Sequence, residues 1–208
     1  MSLDTSVELF SGCGGLALGI SRAGFKHLAM VERDFDAFAT VTHNATAGVE
    51  HVVDWPYTRQ DVCGIDWQPF KGATVVAGGP PCQPFGIGGK APGSDDSRES
   101  WPEAVRAVRD IEPAVFAFEN VFGLLRERFE DYVAWVKASL ERPYLPRRGA
   151  ESHEEHLKRL LRQPKRYEVI IQSVNAAEFG APQNRRHILF LGIRVKRHRE
   201  PIQRIASH

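Results

Sequence analysis

The chain has 208 residues, 42% of them hydrophobic and 25% charged, which suits one folded globular domain with a sizeable core. No apolar run approaches the ~18 residues needed to span a bilayer, and no basic stretch followed by an apolar core marks a secretion signal. Three cysteines in unrelated contexts, Cys13, Cys63 and Cys82, argue against a disulfide framework and for a reducing, cytoplasmic setting. The net charge of +1 conceals a split: residues 1–141 carry 12 Lys+Arg against 20 Asp+Glu, and residues 142–208 carry 15 against 6. Such a basic end either faces a polyanion or is a solvated, Arg-rich surface.

Val7–Phe10 is a short apolar strand running into Ser11-Gly12-Cys13-Gly14-Gly15. Leu16, Gly19, Ile20 and Ala23 then recur at helical spacing, and Gly24 is placed to stop the helix. His27–Val31 is a second strand ending in Glu32. Asp34 can cap a helix carrying Phe35, Phe38, Ala39 and Thr42 on one face. A loop holding Asp54, Trp55 and Asp61 follows. Thr74–Ala77 is a buried strand stopped by Gly78-Gly79-Pro80-Pro81, and a Gly-rich segment continues to about Ser97.

Trp101, Ala104, Val105, Val108 and Ile111 mark an amphipathic helix. Ala114–Phe118 is an apolar strand ending in Glu119, and Phe129, Tyr132, Val133, Val136 and Leu140 mark the next helix. Residues 142–166 read as a polar surface insertion with one short helix, opened by a Ser152/Glu155 capping box before Leu157, Leu160 and Leu161. Strands near Tyr167–Val174 and His187–Ile193 close the chain. Strands alternating with helices predict an α/β domain with a mostly parallel sheet and helices on both faces, with a core over about residues 5–195.

In such sheets ligands bind at the carboxyl ends of the strands, and the informative residues fall there. Gly12, Gly14 and Gly15 let a ligand approach the backbone, and Glu32 ends the second strand where it can hold a ribose diol. The spacing is not the G-x-G-x-x-G dinucleotide pattern, and a Gly-rich turn after a strand is also simply a turn. Cys82 is sharper. Most lone cysteines are small buried hydrophobes, but this one stands among glycines and prolines just past a strand, where a thiolate nucleophile can be presented.

Glu119 ends the strand expected to lie beside Thr74–Ala77. It is either a surface carboxylate or a partly desolvated acid in the same cleft as Cys82. Pro182-Gln183-Asn184-Arg185-Arg186-His187 is a basic turn that either is solvated or meets phosphates or a base. His153 and His156 share a helix face with no further ligands nearby. They are read as solvated, with no metal site expected. Cys63 is read as structural and Cys13 as a small spacer in the glycine loop.

Taken in order from residue 7 to about residue 194, these pieces resemble the cytosine-C5 DNA methyltransferase family. Glu8-Leu9-Phe10-Ser11-Gly12-Cys13-Gly14-Gly15-Leu16 is similar to its cofactor-binding motif, and Pro80-Pro81-Cys82-Gln83-Pro84-Phe85 to its Pro-Cys-Gln motif. Glu119-Asn120-Val121 matches its Glu-Asn-Val motif, and Gln183-Asn184-Arg185-Arg186-His187 resembles Gln-x-Arg-x-Arg.

The resemblance implies a Rossmann-like S-adenosylmethionine-dependent fold and base-flipping chemistry on DNA, usually within restriction-modification. Phe10, Ser11, Gly12, Cys13, Gly14, Gly15 and Pro80 would border the cofactor. Glu32 would take its ribose hydroxyls, and Asp61 and Val62 its adenine. Cys82, Glu119 and Arg185 would be catalytic, and Gln83, Arg98, Asn120, Gln183 and His187 would meet the substrate, with residues Gln83–Arg98 forming a closing loop.

Three departures accompany the resemblance. His187 stands where the family has a second arginine. Gly86 replaces a common serine. The family's target-recognition region and last motifs have no counterpart in these residues, so a fragment, or a second polypeptide supplying the remainder, is expected. Alternative readings are a tRNA substrate, a non-catalytic nucleic-acid-binding or regulatory subunit, and a nucleotide-dependent oxidoreductase.

Overall fold

A computed structural model describes residues 4–81 and 100–195. Cys82, Gln83, Gly86 and Arg98 lie outside the described residues. Among those described, seven strands form one sheet: β1 (Thr5–Leu9), β2 (Lys26–Glu32), β3 (Tyr57–Arg59), β4 (Val75–Gly78), β5 (Val115–Val121), β6 (Tyr167–Asn175) and β7 (Arg186–Arg194), in the order β3-β2-β1-β4-β5-β7-β6. The first five pair in parallel, while β7 runs antiparallel to both β5 and β6. The helices are α1 (Gly15–Arg22), α2 (Phe35–Thr46), α3 (Trp101–Ile111), α4 (Glu130–Glu141) and α5 (His153–Leu161). None is long and apolar enough to cross a membrane.

The apolar runs form the central strands because a parallel strand is covered on both faces. Val7, Leu9, Val76, Ala77, Phe116 and Phe118 are all within 1% of complete burial. α3 covers this region with the face predicted for it: Trp101, Ala104, Val108 and Ile111 are each no more than 1% exposed. Trp101 meets the Phe190 ring edge-on at 4.7 Å and Phe118 at 6.0 Å, while Phe116 packs on Tyr167 at 5.3 Å. Full burial of each such ring contributes roughly 1.5–3 kcal/mol. Gly192 on β7 is required by this packing, since a Cβ there would lie 2.1 Å from the Phe116 ring.

Several expectations need correction. The stretch read as a loop between Asp54 and Asp61 contains β3, which pairs with Met30–Glu32. α1 and α2 form where predicted, with Gly24 at φ +92° after α1 and Asp34 accepting from the Ala37 amide as cap, but they bury different faces. α1 buries Ala17 and leaves Leu16 exposed. α2 buries Ala37 and Val41 and leaves Phe35 61% exposed. Small side chains let these helices approach closely, and Val41 comes to lie beside Gly14.

β5 does not end at Phe118. Pairing with β7 carries it through Glu119 and Asn120 to Val121. Nor is the segment after α4 a purely solvated insertion. α5 begins with the predicted Ser152/Glu155 capping box, but His156 is 2% exposed. His156 joins the Trp135 indole N–H (3.0 Å) to the Leu145 carbonyl (2.7 Å), which fastens α5 to α4.

Candidate active site

The sheet order reverses between β1 and β4, and their carboxyl ends open the crevice where α/β sheets bind ligands. On the β1 side the chain turns abruptly. Phe10 adopts φ +51°, unusual for a bulky side chain, followed by Gly12 at +52° and Gly14 at +86°. The requirement for glycine differs between the last two. A Cβ on Gly12 would meet nothing within 4 Å, so only its backbone angle favours glycine, whereas one on Gly14 would press within 2.6 Å of the Trp55 ring. The Ser11 hydroxyl donates to the Glu8 and Val31 carbonyls, and the Gly14 amide to the Ser11 carbonyl.

A cleft of about 470 Å³ opens beside this turn. Of the expected cofactor residues, Phe10, Gly12, Glu32, Asp61 and Val62 line it. Pro80 is buried behind it, and its neighbour Pro81 faces it instead. Cys13 is solvent-exposed, and Gly15 opens α1.

Both oxygens of Glu32 are held. Oε2 accepts from the Gly12 amide at 2.9 Å, and Oε1 from the amides of Arg33 and Asp34, both at 2.8 Å. A carboxylate oxygen has two acceptor sites, so Oε1 is filled by its two amides while Oε2, with one, can still take a hydroxyl. Asp61 accepts from the Cys63 amide at 3.0 Å, with the Arg33 guanidinium 3.4 Å away. Together these hold its carboxyl below the usual carboxylate range, so it is an ionised acceptor. The adjacent Cys63 thiol is pushed up to about 11 by burial and by the Asp61 carboxylate, so it stays protonated and poorly nucleophilic.

The β4–β5 pairing sets Gly78 opposite Phe118, which brings Glu119 beside the turn leading towards Cys82. Glu119 Oε2 lies 3.3 Å from where a Cβ on Gly79 would stand, so glycine there keeps space open at the carboxyl group. Its other oxygen, Oε1, is 2.6 Å from His187 Nδ1. The β5–β7 register explains this contact: Val121 pairs with His187 and Glu119 with Leu189, which makes Glu119 and His187 diagonal neighbours on one face.

Asn120 points the other way. It is 3% exposed; its amide donates to the Pro80 carbonyl and its oxygen accepts from the Val121 amide, so it braces the turn from behind. Gln183 and Arg185 are exposed on the turn before β7, where Asn175 holds the Arg185 amide at 3.0 Å. Among the described residues no group of three or more His, Cys, Asp or Glu is placed to hold a metal ion.

The cleft also uses residues that carried no recognisable sequence signal. Arg33, Gln60, Cys63 and Glu103 line it. Trp55 and Tyr57 support the glycine turn that borders it: the Trp55 ring lies against Gly14, and the Tyr57 hydroxyl donates to the Gly12 carbonyl. Their alternation, Trp55-Pro56-Tyr57, was the only hint of a strand.

An α/β sheet with a glycine turn after β1, a carboxylate ending β2 and a further acidic turn after β3 defines a Rossmann-like fold with a cleft at the carboxyl ends of its parallel strands. The family follows from comparison: residues 5–143 match the model of the C-5 cytosine-specific DNA methylases, and the chain belongs to that family. It is similar to the Type II methyltransferase M.NgoMIV of Neisseria gonorrhoeae, with 40% identity over 62% of this chain and 39% of that protein. M.AplI of Arthrospira platensis is 34% identical over 88% of this chain and 43% of that one. The chain thus spans about two-fifths of the length of these relatives. A crystal structure assigned as a prophage-encoded DNA modification methyltransferase (E. coli) superposes with a TM-score of 0.63 at 27% identity, over 91% of this chain and 46% of that one. The fold is that of the S-adenosylmethionine-dependent methyltransferases.

Proposed function

We propose that the protein methylates C5 of cytosine in DNA, with S-adenosylmethionine as methyl donor. The observation that carries this reading is the position of Glu119. Its carboxyl group stands beside Gly79, three residues before Cys82, at the end of a cleft lined by Glu32 and Asp61. The donor set suits the cofactor: Glu32 can accept from ribose hydroxyls, the ionised Asp61 from the adenine amine, and Phe10 and Val62 offer apolar contact. When bound, the cofactor supplies an electrophilic methyl group.

The rest of the chemistry belongs to the chain. The Cys82 thiolate adds to C6 of a cytosine flipped out of the duplex, breaking the ring's aromaticity and making C5 nucleophilic. Glu119 donates to N3 and stabilises the charge that develops in the ring. C5 takes the methyl group, with S-adenosylhomocysteine as the other product; a water molecule then takes the C5 proton, the C5–H electrons form the C5=C6 double bond, and the C6–S bond breaks to return the Cys82 thiolate. His187, on the far oxygen of Glu119, orients the carboxyl group. Gln83, Arg98, Gln183 and Arg185 would hold the base or its flanking phosphates, and Asn120 would fix the Pro80 turn.

The test is transfer of labelled methyl from S-adenosylmethionine to DNA and, in parallel, to tRNA, with Cys82→Ser as control. Transfer to DNA that falls by more than a thousandfold in the variant, together with covalent trapping of the wild type on 5-fluorocytosine DNA, is expected. Transfer to tRNA alone would reassign the substrate. Trapping by Cys82→Ser would remove Cys82 from the chemistry.

A further inference from the structure

Beneath the glycine turn, the Tyr57 hydroxyl donates to the Gly12 carbonyl, and the amide of the same Gly12 donates to Glu32 Oε2 at 2.9 Å. One residue therefore receives a side chain on its carbonyl and gives its N–H to the carboxylate that ends β2. Gly12 needs this restraint. It has φ +52°, a left-handed conformation, and open space where a side chain would stand, so it has no side-chain packing of its own to hold it. An unrestrained glycine samples many backbone states.

Tyr57 itself is well fixed. Its ring stacks on Phe38 with centroids 5.5 Å apart and planes 18° from parallel, and its backbone belongs to β3, paired to Met30–Glu32. Burial, reinforced by the nearby Glu32, Cys13 and Asp34, pushes its hydroxyl above the ordinary tyrosine range, so it remains a donor throughout the physiological pH range.

We infer that Tyr57 is a positioning residue for the cofactor site: it fixes the Gly12 peptide so that the Gly12 amide holds Glu32 in place for the ribose hydroxyls. The inference rests on the proposed cofactor reading of the cleft and assigns within it a function to a strand whose sequence carries no motif. Tyr57 acts through Gly12 and Glu32, so its contribution is confined to ligands that use Glu32.

The experiment measures binding rather than turnover. The full 208-residue chain is titrated by calorimetry with S-adenosylhomocysteine and with its analogue lacking both ribose hydroxyls. Tyr57→Phe keeps the ring and its stacking on Phe38 and removes only the hydroxyl. It is expected to weaken S-adenosylhomocysteine about 3- to 10-fold, the range for loss of one hydrogen bond, and to leave the analogue's affinity unchanged. In a Glu32→Ala background, Tyr57→Phe should cause no further loss.

Unchanged affinity for S-adenosylhomocysteine, equal weakening of both ligands, or additive losses in the double variant would each overturn the inference. If Tyr57→Phe lowers the amount of folded protein, both ligands suffer alike, so the ratio of the two losses remains the deciding readout. Failure of the wild-type chain to bind S-adenosylhomocysteine would instead remove the cofactor reading and this inference with it. That outcome is distinct from wild-type binding that Tyr57→Phe does not alter.

Discussion

On β1 the side chain of Glu8 is 1% exposed, and its Oε1 has no hydrogen-bond partner among the described residues. Beside it stand Ser6, two residues earlier on β1, and His27 on β2: Ser6 Oγ and His27 Nδ1 are 2.7 Å apart, and His27 Nδ1 is 3.6 Å from Glu8 Oε1. Trp55 closes the cluster, its ring 5.4 Å from that of His27. Burial pushes Glu8 from 4.5 up to about 7, against the lowering influence of Ser6, and burial also lowers His27.

The signs of the two contributions differ. A raised carboxyl means the folded state binds a proton that the unfolded chain has released, so Glu8's contribution is complete below about pH 4.5 and is lost as pH rises through 7. A lowered imidazole works the other way, its contribution being present above the unfolded value of 6.5 and lost as pH falls. Above pH 7 only the Glu8 penalty remains. Glu8→Gln is therefore expected to match the wild type near pH ~4, below the unfolded value of 4.5, and to exceed its stability at pH ~8, by up to about 3 kcal/mol at 1.36 kcal/mol per pKa unit. Urea unfolding at both pH values checks this, and an equal difference at the two would refute it.

At the scale of elements, the site depends on how α3 is tied to the turn after β3. Arg106 on α3 donates to the Ile65 carbonyl at 2.9 Å and the Val62 carbonyl at 2.7 Å, while its Nε pairs with Glu103 at 2.7 Å. These bonds clamp the 3-10 turn Val62–Gly64, which Asp61 caps and which forms one wall of the cleft. Arg106→Met keeps much of the aliphatic stem and removes the guanidinium donor from the Ile65 and Val62 carbonyls, of which Val62 still accepts from the Ile65 amide. It is expected to cost about 1–3 kcal/mol in stability and to weaken S-adenosylhomocysteine severalfold. Thermal unfolding and calorimetry on the same samples check both. Unchanged binding despite lost stability would show that the turn is held by other contacts.

The same scale shows why some elements were legible and others not. α3 has five apolar residues on one stripe, and all but the half-buried Val105 are enclosed, because a strongly one-sided helix has only one way to pack. α1 and α2 carry small and apolar residues around much of their circumference, so composition leaves the buried face open and contact with the sheet chooses it. β3 is three residues long, too short to show a period, and it exists because the edge of β2 offers backbone partners.

Across the whole molecule, the site is assembled from residues far apart in sequence. The family match ends at residue 143, yet β7, formed by Arg186–Arg194, is inserted between β5 and β6. It supplies Phe190 to the core and His187 to Glu119. A chain ending at residue 143 would expose the β5 edge and the faces of Trp101 and Phe116, and it would lose the α5 contacts on Trp135. Such a truncation is expected to be protease-sensitive, without a cooperative thermal transition. A sharp transition in calorimetry would show that β6 and β7 are dispensable.

The sequence by itself determined the kind of sheet, the order of most elements and the location of the chemistry. Buried parallel strands are near-continuously apolar, and Gly12, Glu32 and Gly79 mark the ends of β1, β2 and β4 where ligands bind, while Glu119 lies near the end of β5. Only the tertiary structure decided which faces α1 and α2 bury, that β3 exists, that β7 runs antiparallel, and that Asn120 braces Pro80 while His187 contacts Glu119. These are outcomes of register and close approach between segments far apart in sequence, as in the pairing of Val115 with Ile193, where backbone pairing and excluded volume select one arrangement among several that local pattern allows equally.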